Sequence, residues 1–125
     1  MPVIHAPSAP THELGGTSFT SLATPSRGGT DMTSVWRVAI APGTTPTPHS
    51  LTREEIFVVL RGQAEVTIDD ARQTAGAGDT IVVPADVPFV LHNSGTEPLE
   101  LLCCLPVGGQ ARLADGTLLT PPWAQ

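Results

Sequence analysis

From Ser34 onward the chain is a succession of short apolar runs, each cut off at strand length by turn residues. VWRVAIA (Val35–Ala41) stops at Pro42-Gly43, IFVVL (Ile56–Leu60) at Arg61-Gly62, and QAEVTI (Gln63–Ile68) at Asp69-Asp70. TIVV (Thr80–Val83) stops at Pro84, PFVLHN (Pro88–Asn93) at Ser94-Gly95, and LELLCCLPV (Leu99–Val107) at Gly108-Gly109. These runs favour strands, because β-branched and aromatic side chains suit a pleated, half-buried surface. The 13 prolines and 12 glycines punctuate them with turns. No window supports an amphipathic helix of useful length; Thr52–Leu60 has the polarity but is too β-branched and aromatic. An all-β sandwich or barrel follows.

One domain accounts for 125 residues, and that length suffices for a real core. Residues 1–30, rich in Pro, Ser, Thr and Gly, read as a flexible or extended N-terminal segment. Within it 1–12 is a tail and 13–30 a lead-in with one short strand near Thr17–Leu22. Residues 31–125 form the barrel domain with a C-terminal tail, whose Trp123 is expected to pack on the barrel or on a second subunit.

Composition excludes several partners. Six Lys+Arg against 12 Asp+Glu give a net charge of −6. Nucleic-acid binding needs a basic surface to neutralise phosphate, so no nucleic acid is expected, and no anionic membrane either. No apolar run is long enough to cross a bilayer, and MPVIHAPSAP lacks the basic-then-apolar pattern of a signal peptide. A cytoplasmic location is the resulting expectation. Adjacent Cys103 and Cys104 point to opposite faces of a strand, so a disulfide between them would be strained; a buried structural thiol is expected instead. There is no Tyr, and all six cationic side chains are Arg, which rules out a phenolic acid or base and a lysine Schiff base.

Two segments carry a more specific pattern. In the first, Gly43 is followed after five residues by His49, then Leu51, Glu55 three residues later, and Gly62 after six more. In the second, Gly78 leads after five residues to Pro84, then Asp86, Phe89 and finally Asn93. These segments resemble the two signature motifs of the cupin superfamily, commonly G-x5-H-x-H-x3,4-E-x6-G and G-x5-P-x-G-x2-H-x3-N. The resemblance covers roughly residues 34–107. It implies a small single-domain cupin of the cupin_2 kind: an all-β, single jelly-roll β-barrel with an extended N-terminal segment. It also implies a homodimer, since small cupins often pair through edge strands or N-terminal segments.

The departures fall on the metal ligands. Such proteins hold a divalent metal with three His and one Glu or Gln. Here Leu51 and Phe89 stand at two His positions and cannot coordinate, which leaves His49 and Glu55. Tight first-row metal sites usually take three or four protein ligands. No metal or other cofactor is therefore expected, with a weakly bound divalent metal on His49 and Glu55 as the alternative. His92 lies three residues past Phe89, on the opposite face of a regular strand; only a β-bulge would turn it inward.

The apolar replacements convert a polar cage into an apolar pocket around one imidazole and one carboxyl. Burial would push the Glu55 pKa up and the His49 pKa down, while a close His49–Glu55 pair would oppose both. His49 and Glu55 are the candidate catalytic residues, with His49 as general base. Leu51, Phe57, Phe89, Trp36, Arg53 and Asn93 are the candidate substrate-binding residues; Arg37, beside Trp36, takes the opposite face. The expected function is a metal-independent isomerase, cyclase, dehydratase or other lyase acting on an apolar or polyketide-like small molecule. The alternatives are a non-catalytic binding or sensing cupin and a metal-dependent cupin oxygenase with a weak two-ligand site.

Overall fold

The computed structural model describes residues 2–125. Twelve strands assemble into two six-stranded antiparallel sheets. The first has the order β1 (His12–Leu14), β2 (Thr17–Ala23), β3 (Thr33–Ile40), β10 (Leu99–Pro106), β5 (Glu55–Arg61), β8 (Thr80–Val83). The second has the order β12 (Leu118–Leu119), β11 (Ala111–Leu113), β4 (His49–Leu51), β9 (Phe89–Asn93), β6 (Gln63–Ile68), β7 (Ala71–Gly76). A single 3-10 turn, η1 (Pro122–Ala124), ends the chain. This is the expected jelly roll. Its two sheets face each other but are not joined by strand pairing into a closed barrel, so the all-β expectation holds as a sandwich.

Alternation builds the core. On β10 the side chains of Leu99, Leu101, Cys103 and Leu105 are all buried and their neighbours only half-buried. On β5 the inward set is Glu55, Phe57 and Val59, and on β3 it is Ser34, Trp36 and Val38. Register places Trp36, Cys103, Phe57 and Ile81 in one cross-strand row. These side chains meet Leu51, Phe89, Val66 and Ala64 of the facing sheet in one apolar cluster.

Turns fix how the motif segments enter this core. Gly62, between β5 and β6, has φ +86°, and a Cβ there would lie 2.6 Å from the Pro98 carbonyl oxygen, so both handedness and space demand glycine. Asp86, at the position where the second motif commonly has glycine, also takes the left-handed conformation, with φ +63°. Its N–H donates to the Leu51 carbonyl at 2.7 Å, tying the segment before β9 to the end of β4. The residue departs from the motif and the backbone does not; Asp is among the few side chains that tolerate this region.

The N-terminal segment is more ordered than its composition suggests. β2 covers the expected strand at Thr17–Leu22, pairs with β3 along its length and carries β1 on its outer side. Residues 12–23 thus belong to the sandwich, because Phe19 and Ser21 alternate inward among polar neighbours. The C-terminal turn covers that inward side. Trp123 stacks on Phe19 with centroids 3.6 Å apart, the Ser21 hydroxyl donates to the Trp123 carbonyl at 2.8 Å, and the Ser34 hydroxyl donates to the Ala124 carbonyl at 2.6 Å.

Candidate functional site

His49 begins β4, directly after the sequence TPTP. Pro46 and Pro48 bracket Thr47 and restrict its backbone to an extended shape. The Thr47 carbonyl consequently sits 2.8 Å from Nδ1 of His49. A carbonyl oxygen only accepts, so Nδ1 carries the proton, and in the neutral ring Nε2 keeps its lone pair. His49 pairs with Phe89 across β4 and β9, and the two rings lie 4.5 Å apart. Phe89 in turn contacts Phe57 of the opposite sheet, at 5.9 Å between centroids. The imidazole is half-buried, the only member of this group that reaches solvent to that degree.

Glu55 begins β5 on the facing sheet, opposite Val83 and on the same face as Phe57. It is 5% exposed. Among the described residues its carboxyl has no ion-pair partner within 4.0 Å and makes no hydrogen bond. A buried carboxylate without a compensating charge is disfavoured, and desolvation pushes the Glu55 pKa up to about 8. At neutral pH it is a neutral carboxylic acid. The same carboxyl raises the pKa of the Cys103 thiol, already pushed up by complete burial, and adds to the burial effect on Cys104. The close His49–Glu55 ion pair that would have opposed this shift is not formed. The pull of burial on Glu55 therefore goes unanswered.

The remaining residues divide by environment. Leu51, Phe57, Phe89 and Trp36 are 2%, 7%, 3% and 3% exposed and fill the space between the sheets. Arg53 lies exposed in the turn between β4 and β5. Asn93 is buried, but backbone groups occupy its amide. Nδ2 donates to the Ile40 carbonyl at 2.8 Å and the Glu97 carbonyl at 2.9 Å, and Oδ1 accepts from the Gly95 N–H at 2.9 Å. With three of its bonds taken, Asn93 holds the β9–β10 turn to β3, a tie that its place in the motif did not reveal. His92 pairs with Glu65 on β6 through an unbulged register, which keeps it on the face away from Phe89. Arg37 is exposed and Trp36 buried, as strand alternation requires. Surface depressions lie away from these residues, one lined by β7 and β8 and one beside the β1–β2 turn. Sequence reasoning missed the Thr47 carbonyl, although the Pro-Thr-Pro-His run signals it.

The donor set does not fit the metal centre that the cupin resemblance implies. Leu51 and Phe89 present hydrocarbon at two ligand positions, and no group of three or more His, Cys, Asp or Glu among the described residues is placed to hold an ion. Two donors, one of them a protonated acid at neutral pH, fall short of a tight first-row site.

Comparisons with known proteins bear on the scaffold. A 53-residue stretch is 40% identical to the uncharacterized protein MJ1618 of Methanocaldococcus jannaschii, and it spans 42% of this chain and 42% of that protein. Among solved structures, the polyketide cyclase RemF from Streptomyces resistomycificus aligns over 96% of this chain and 84% of its own, with TM-score 0.72 and 20% identity. KdgF from a Halomonas species aligns over 73% of this chain and 79% of its own, with TM-score 0.63 and 22% identity. The model of the cupin domain family matches residues 36–105, from Trp36 on β3 to Leu105 on β10. That span takes in both glycine-anchored segments and the strands that place His49 and Glu55, and the chain belongs to the cupin family.

Proposed function

We propose that the protein is a metal-independent acid/base catalyst acting on an apolar, polyketide-like small molecule, as a cyclase, isomerase, dehydratase or other lyase. The observation that carries this reading is the pairing of two complementary proton carriers on facing sheets. His49 has its Nδ1 proton fixed on Thr47, so Nε2 is free to take a proton. Glu55 is kept protonated by burial, so it has one to give. A base and an acid whose environments push their protonation states apart are what proton removal at one carbon and delivery to an oxygen require. The ring of Phe89 lies against His49 and that of Phe57 against Phe89, and these rings suit an apolar substrate. A scaffold likeness to a polyketide cyclase is compatible with that class, and the residues of this chain carry the assignment.

The test is incubation with a panel of linear and partly cyclised polyketide-like ketones, followed by mass spectrometry. Wild type converts at least one compound, and His49→Ala or Glu55→Gln lowers the rate by about 100-fold or more, the usual weight of a general acid or base. Equal conversion by His49→Ala, or none by wild type, would contradict the proposal.

The apolar character of Leu51, Trp36, Phe57 and Phe89 supports a second reading, a binding or sensing module without turnover. Native mass spectrometry of freshly purified protein separates the two. An unaltered apolar ligand retained in stoichiometric amount supports binding alone, and a covalently changed one supports catalysis.

A further inference from the structure

The strap around η1 sits on the first sheet as a bound molecule would. Thr120 is still tied to the second sheet's side, where its hydroxyl accepts from Gln110 Nε2 at 3.2 Å. Residues 121–125 then cross to the inward side of β2 and β3. Among the described residues three hydrogen bonds hold them there. The Ser21 hydroxyl donates to the Trp123 carbonyl at 2.8 Å, the Ser34 hydroxyl to the Ala124 carbonyl at 2.6 Å, and the Ser26 N–H to the Gln125 carbonyl at 2.9 Å. The Trp123 ring lies flat on Phe19, at 3.6 Å and 5°, and the His12 ring meets it edge-on at 6.4 Å. The N–H groups of Ala124 and Gln125 bond inside the turn, to the Pro121 and Pro122 carbonyls. A single 3-10 turn outside both ladders belongs to the part of a fold that opens first.

The surface under the strap specifies what it can hold. Ser21 and Ser34 are 7% and 1% exposed, two hydroxyls buried on an inward face made chiefly of hydrocarbon. Each donates to a strap carbonyl, and a buried donor deprived of its acceptor is costly. With the strap open, Phe19 is a flat apolar platform beside two donors that need acceptors. The platform also leads towards the buried acid. Register sets Ser34 beside Leu105, and Leu105 stands one step past the Cys104–Ile56 pair, beside Glu55. Ser34 and Glu55 thus share one inward row with β10 between them, about 10 Å apart at the usual strand spacing. A fused polycyclic ketone covers that span and a single ring does not.

We infer that Phe19, Ser21 and Ser34 form a subsite for a planar, fused-ring ketone, and that the strap opens to admit it. Trp123 and Ala124 occupy the subsite as stand-ins. The indole takes the place of the fused ring, and the two main-chain carbonyls take the place of its ketone oxygens. The inference rests on the acid/base reading in taking Glu55 as the reacting end of the row, whereas occupancy of the subsite stands on the strap geometry alone.

Prodan, a fluorescent naphthalene bearing one ketone, is the probe, and binding is read from its emission. Full-length Trp123→Ala binds it about 10-fold more tightly than wild type, because the competing ring is gone. Adding Ser21→Ala and Ser34→Ala to that variant weakens binding by about 5-fold or more, the weight of a buried hydrogen bond. In wild type, saturating Prodan speeds hydrogen exchange at the amides of Ser26, Ala124 and Gln125, which the closed strap protects. Far-UV circular dichroism establishes that each variant is folded, and the exchange experiment on wild type decides the matter where one is not. The inference is overturned by Prodan that does not bind, that binds wild type and Trp123→Ala alike, that ignores the two serines, or that leaves the three amides protected. A protein that admits Prodan in this way yet converts no ketone keeps the subsite and loses the acid/base reading. Conversion of a ketone with the strap closed does the reverse.

Discussion

At the scale of single residues, environment has changed the chemistry of two side chains that the motif alone would treat as metal ligands. Leu51 and Phe89 remove the other donors, and burial of Glu55 raises its pKa to about 8. Both substitutions were legible in the sequence, and so was the direction of the Glu55 shift. The missing His49–Glu55 pair was not, because motif spacing fixes strand position and not the distance across two sheets. Asp86 shows the reverse case, a changed residue that keeps an unchanged backbone angle. Replacing Asp86 with Gly relieves the left-handed strain but frees the unfolded chain, so stability should change by less than about 1 kcal/mol. Asp86→Val, with a β-branched side chain at φ +63°, should cost about 1–3 kcal/mol by urea denaturation. Equal effects of the two would mean that the conformation is not retained in solution.

At the scale of elements, periodicity and breakers revealed β3, β5, β6, β8, β9 and β10 and the short strand that became β2, and they hid β1, β4 and β7. β2 has the sequence TSFTSLA, in which small hydroxyl residues occupy inward as well as outward positions. The inward Ser21 is satisfied by a carbonyl supplied by Trp123, a hydrogen bond between residues 102 apart that no local pattern shows. The β5–β6 turn is the clearest local constraint. Gly62→Ala should destabilise by about 2 kcal/mol or more, because it combines a positive φ with a Cβ 2.6 Å from the Pro98 oxygen. Gly43→Ala, with φ +78° but open space around the added Cβ, isolates the conformational part and should cost about 1 kcal/mol. Thermal denaturation of the two variants separates them, and equal losses would show that the close approach to Pro98 does not matter.

At the scale of the whole molecule, the sandwich puts the half-buried His49 and the buried Glu55 on facing sheets and leaves an apolar outer face. The first property makes folding itself depend on pH. Glu55 has an unfolded pKa near 4.5 and a folded pKa of about 8, so the folded state holds a proton that the unfolded state has lost between those values. Its contribution to stability is fully present below about pH 4.5 and is lost progressively up to about pH 8. Glu55→Gln keeps the shape and removes the titration. The decisive measurement is the unfolding free energy of wild type and of Glu55→Gln, by urea at a series of pH values. The buried-acid account predicts that wild type loses about 1.4 kcal/mol per pH unit relative to the variant across most of that window, levelling off above about pH 8. A difference that stays constant from pH 5 to 8 would show that Glu55 is already ionised in the folded protein, and would contradict the acid role assigned to it.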